Sequence, residues 1–166
     1  MIKVAVYLII GLILTTFEAT FINFLPIEFF KPDLGIPFII YTTFFLGPQA
    51  GLITAGLIGL MQEIVSTSPS GSLLFTKVSI FIISVFMRNK IYIDSKYSFS
   101  FVCSGAVLVE SFLFLALSFL VRGESRDAFN VAFYSVPNAI FTGFLSLFLY
   151  NLIVFLNTRY LNTRNE

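Results

Sequence analysis

Six apolar runs, parted by short polar or turn-forming stretches, make up most of the chain; they cover residues 4–25, 34–46, 49–65, 72–87, 99–121 and 131–156. About 20 apolar residues in a helix cross a hydrocarbon layer roughly 30 Å thick. The first, fifth and sixth runs reach that length. The first follows a single Lys3 and outlasts the short apolar core of a signal peptide, so it is predicted to be a retained helix. The second run is the shortest and fits a re-entrant segment as well as a spanning one. It carries Pro37 in its first turn, and Asp33 is placed to cap it. Gly47-Pro48 closes it, and the uncharged turn STSPSG occupies 66–71. Pro137 is expected to kink the sixth run and set off its first turn as an interfacial piece.

Within the third run, Gly47, Gly51, Ala55 and Gly59 recur every fourth residue, and Glu63 is the next step of the series. Small residues at that spacing let two helix backbones approach closely inside a bilayer, where packing drives association. The ridge is therefore expected to be a helix-packing surface. Together the runs predict an all-α integral membrane protein: one domain, a bundle of six transmembrane helices.

Composition sharpens this picture. The 166 residues are 57% hydrophobic and only 11% charged, against about 25% charged in soluble domains; mean hydropathy is +0.93. The net charge of +1 offers no basic stripe for phosphates, which argues against nucleic acid as a partner. Histidine is absent and Cys103 is the one cysteine. Disulfides, thiolate zinc sites and Ser-His-Asp triads are thereby excluded. No Walker A loop, Rossmann fingerprint or HExxH helix occurs. The expectation is a protein that is not an enzyme and holds no cofactor or metal, with Cys103 as a small packing residue.

Six crossings place both ends on one side. With both termini cytoplasmic, the inner segments hold Lys3, Arg88, Lys90, Lys96, Arg159 and Arg164, and the outer ones hold Lys31, Arg122 and Arg126. Six against three favours that orientation. Tyr7, Tyr92, Tyr97 and Tyr160, near run ends, fit interfacial belts.

In that topology Glu18, Glu63, Lys77 and Glu110 fall in the outer half of the bundle. The sixth run adds Ser135, Asn138, Thr142 and Ser146 on roughly one face. Ionisable groups at such depth are costly and mark functional or paired sites. One reading is a shallow polar pocket or partner-docking face formed by Glu18, Glu63, Lys77, Glu110 and Asn138. The other is structural. Glu63 and Lys77 would pair across their hairpin and staple it, with Glu18 and Glu110 hydrogen-bonded to hydroxyls or amides of the sixth run.

Pro32-Asp33-Leu34, then Tyr41, Leu46-Gly47-Pro48 with Gly51-Leu52, and Gly56-Leu57-Ile58-Gly59-Leu60 leading to Glu63 resemble the rod shape-determining protein MreD family. The charged loop 88–96 after the fourth run is similar too. The resemblance implies a non-enzymatic subunit of the cell-elongation machinery in the cytoplasmic membrane. It would act with MreC and, directly or indirectly, with MreB, RodA and the penicillin-binding transpeptidase partner of RodA, and so help regulate peptidoglycan synthesis. The family's architecture is in turn similar to the substrate-binding subunits of energy-coupling-factor vitamin transporters. That likeness supplies the alternative expectation of a solute-capturing subunit.

Overall fold

Helix is the regular element of every described segment. The computed structural model describes residues 9–11, 13, 16, 33–66, 71–122 and 128–156. Its elements are α1 (Gly35–Tyr41), a π-helical turn (Thr42–Leu46), α2 (Pro48–Val65), α3 (Ser72–Arg88), α4 (Lys96–Arg122) and α5 (Ala128–Leu156). No strand occurs among the described residues. The second to sixth apolar runs thus become helices, and α4 and α5 start earlier than the runs they contain. The first run, 4–25, and the retained helix expected there lie almost wholly outside the described residues. Polar first turns cost a helix nothing where the end is capped. Ser95 Oγ accepts the Ser98 N–H at 3.2 Å and provides that cap for α4. Pro137 lies inside α5, which runs through it from Ala128, so the expected separate interfacial turn is not formed. Packed neighbours re-satisfy the backbone around such prolines in membrane helices.

The end of α1 shows why its run is irregular. Thr42 Oγ1 donates to the carbonyls of Phe38 and Ile39, both at 3.0 Å, and Thr43 Oγ1 donates to Ile39 O at 2.7 Å. Hydroxyls that compete for helix carbonyls loosen the regular ladder. The backbone answers with a wider turn, in which the Gly47 N–H reaches Thr42 O at 3.0 Å. Gly47 then takes φ 109°, open to glycine at little steric cost, and the chain reverses into α2.

Three antiparallel registers follow. Gly51 of α2 lies against Thr43, and a Cβ there would stand 3.0 Å from the Thr43 Cα. Gly59 lies against α3, where a Cβ would stand 3.0 Å from the Leu74 Cα. Backbone atoms cannot yield, so both approaches require glycine; Ala55 between them is fully buried. Gly51 and Gly59 thus face two neighbours, α1 with its π turn and α3. Gly47, expected in the same ridge, instead lies in the turn before α2, where a Cβ would meet nothing within 4 Å. On the other side α4 and α5 form a hairpin joined by Ser100 Oγ donating to Gly143 O at 2.6 Å.

The α1 segment is the centre of the core. Gly35 to Thr43 are all buried, with Ile36, Phe38, Ile39 and Ile40 packed among Ile58, Ile80, Phe99 and Ile153. Near the Gly47 turn, Tyr41, Phe45, Phe99 and Tyr150 form an aromatic cluster with ring centroids 4.7–6.5 Å apart. The outer faces of α2 to α5 are apolar and exposed, among them Leu60, Phe86, Phe101, Phe112 and Phe148. That inversion suits lipid rather than water. Lys96–Leu117 and Ala132–Phe155 are each long and apolar enough to cross a membrane. The twelve residues Gly35–Leu46 rise about 18 Å, short of a layer roughly 30 Å thick.

Candidate functional site

The site begins with a lysine that water does not reach. Lys77 lies in the second turn of α3 and is 0% exposed. Its stem runs past Gly59, whose missing side chain leaves the room: a Cβ there would stand 3.4 Å from Lys77 Cβ. An ammonium at this depth must be paired. Lys77 Nζ donates to Asp33 Oδ2 and, at 2.5 Å, to Glu110 Oε1. Asp33 precedes α1 and Glu110 sits midway along α4, so one cation ties three elements together.

Two further helices join through Asp33. Its Oδ1 accepts the first free donors of α1, Gly35 N–H at 2.7 Å and Ile36 N–H at 3.2 Å. Gln62 Nε2 of α2 approaches both carboxylate oxygens at 3.4 Å. The Asp33 N–H donates to Thr142 Oγ1 of α5 at 3.2 Å. Every element from α1 to α5 thus contributes a group to one knot. Its formal charges, two carboxylates against one ammonium, sum to −1. The carboxylate side chains are 16% and 14% exposed and, with half-buried Gln62, form the accessible edge of the site.

This arrangement revises the reading of Glu63. Glu63 does not pair with Lys77. Its two oxygens accept the backbone N–H groups of Gly71 and, at 3.1 Å, of Leu74, at the start of α3. A helix start leaves such donors free and carries partial positive charge, so a carboxylate from the preceding helix is a natural cap. The hairpin is still fastened by Glu63, but through the backbone. Lys77, freed from that partner, takes Asp33 and Glu110 instead.

Glu110 bonds Lys77, where a partner on the sixth run had been the structural expectation. Of the α5 polar residues, Thr142 joins the knot and Ser146 turns back to Gly143 O at 2.6 Å. Ser135 turns back to Ala132 O, and Asn138 sits half-buried one turn before Thr142. Glu18 lies outside the described residues. The sequence reading missed Asp33 as a site residue because its capping role already accounted for it. The available signal was its position at the mouth of the shortest apolar run, where a carboxylate cannot lie far from other helices.

Chemically, the knot is a clamp. It fixes the relative positions of five helical elements at one level and exposes two carboxylate edges there. A molecule whose described residues form helices with lipid-suited outer faces, two of them of crossing length, around an internal ion-pair knot is a helical membrane protein. The profile of the family described as rod shape-determining protein MreD matches residues 1–160. The chain belongs to that family, and is a rod-shape-determining membrane protein. No curated protein and no solved structure matches it significantly.

Proposed function

We propose that this protein is a non-enzymatic subunit of the bacterial cell-elongation complex in the cytoplasmic membrane. It binds MreC and thereby helps regulate peptidoglycan synthesis by RodA and its transpeptidase partner, with MreB on the cytoplasmic side. The observation that carries this reading is the family match over nearly the whole chain, residues 1–160. The architecture agrees with it, because the described helices present apolar outer faces through which such a bundle meets other membrane proteins. The six runs would cross in turn with both termini cytoplasmic.

In this reading the partner-facing groups are the exposed edges of Asp33 and Glu110, together with Asn138 and the Glu63-capped hairpin end. Lys77, being fully buried, acts by holding the carboxylates in place. The solute-capturing alternative needs polar groups that converge on a ligand. Lys77 and Glu110 converge on each other and on Asp33, which favours the scaffold.

Co-expression with MreC and purification in mild detergent tests the proposal. Wild-type protein should recover MreC in near-equal amount. Asp33→Asn/Lys77→Met/Glu110→Gln, which removes every charge of the knot together, should stay folded and lose most of it. Absence of MreC from the wild-type preparation would overturn the reading, as would a vitamin-like molecule co-purifying in its stead.

A further inference from the structure

At the end of the bundle away from the knot, the α3–α4 connection carries a second feature that the clamp does not use. Three cations lie within nine residues: Arg88 in the last turn of α3, Lys90 in the turn that follows, and Lys96 opening α4. Asp94 is the one acid among them. Arg88 and Lys90 are exposed, and the connection is held rather than loose. Met87 O accepts the N–H groups of Lys90 and Ile91 at 2.9 and 2.8 Å, and Ser95 caps α4. Ile91 and Ile93 are half-buried, with Ile93 packed on the core, while Tyr92 between them is 84% exposed. Lys96 Nζ stands over the Tyr97 ring, 5.3 Å from its centroid.

The neighbouring helix faces continue the profile. Ile82, Phe86 and Lys90 are spaced by four, which sets two exposed apolar side chains and a cation along one face of α3 and its extension. Phe101 and Tyr97 are spaced likewise on α4, both exposed. Moving toward the bundle end, both stripes pass from apolar to aromatic or cationic. A phospholipid has the same order: acyl chain, interfacial glycerol, charged phosphate. Amphipathic tyrosines settle at the headgroup level, and basic residues beside a membrane helix attract anionic lipid.

We propose that the α3–α4 connection is a binding site for an anionic phospholipid. Arg88, Lys90 and Lys96 receive the headgroup phosphate, Tyr92 and Tyr97 lie at the glycerol level, and Ile82, Phe86 and Phe101 line the acyl chain. An acidic protein segment would use the cations but would have no use for the exposed apolar stripes beneath them.

The test is lipid retention by the full chain in detergent, read by native mass spectrometry with phosphatidylglycerol or phosphatidylcholine supplied at equal concentration. Wild-type protein should keep phosphatidylglycerol preferentially. Replacing each cation by glutamine should weaken retention about fivefold, and Arg88→Gln/Lys90→Gln/Lys96→Gln should bring the two lipids level. Phe86→Ala/Phe101→Ala should weaken both lipids alike. All five side chains lie at or beyond the packed core, and unchanged thermal unfolding of the variants checks that the bundle is intact. Equal retention of the two lipids by the wild type would overturn the proposal, as would undiminished preference in the triple variant. Displacement of the lipid by millimolar inorganic phosphate would also overturn it, by making the seat one for free phosphate.

Discussion

A lysine ammonium taken out of water is tolerable only while its partners stay in place, and the loss of one side of a buried pair is costly because the other charge is then stranded. Lys77→Met would leave Asp33 and Glu110 without their shared cation. Unfolding in mixed micelles should show a loss of about 3–5 kcal/mol. Adding Asp33→Asn and Glu110→Gln should restore most of it, since neutral side chains of similar volume leave nothing stranded. Glu63→Ala removes a helix cap and no ion pair, so the same measurement should show a loss of about 1 kcal/mol. A Glu63→Ala loss as large as that of Lys77→Met would contradict the separation of the two carboxylates. A lysine five residues into an apolar helix already announces, from sequence, that carboxylates must lie nearby. Which ones they are does not follow, because Glu18, Asp33, Glu63 and Glu110 all qualify by charge and approximate depth.

At the scale of elements, the spacing of small residues on α2 predicted close packing without naming the partners. The structure divides the ridge between two neighbours, with Gly51 against Thr43 and Gly59 against Leu74. Gly56 lies off this ridge, and a Cβ there would meet nothing within 4 Å. Gly59→Ala should therefore destabilise the α2–α3 hairpin by about 1–3 kcal/mol through forced backbone separation. Gly56→Ala should be neutral or stabilising, by up to about 1 kcal/mol, because alanine is the better helix former. Thermal unfolding of the two variants in detergent compares them directly, and equal losses would refute the assigned faces. The period of four was visible in the sequence because it is set within one helix. The π turn after α1 was not, since adjacent threonines are common in helices that stay regular.

The whole molecule is a bundle whose two ends differ. One carries the Glu63 cap near the ion-pair knot, and the other carries the basic α3–α4 connection and the aromatic cluster. If α3 crosses the membrane, single cysteines at Gly71 and Lys90 in a Cys103→Ala background should be labelled by a membrane-impermeant reagent from opposite sides. Labelling of both from the same side of intact vesicles would rule that crossing out. The membrane class, the helices of the second to sixth runs and the close packing at Gly51 and Gly59 were legible in the sequence alone. Each of those properties arises from composition or from neighbours within a turn or two. The tertiary structure decided that Lys77 meets Asp33 and Glu110, residues 44 and 33 positions away, and that Glu63 serves the backbone instead. Such pairings depend on how helices rotate and slide against one another in packing, which no pattern internal to a single helix records.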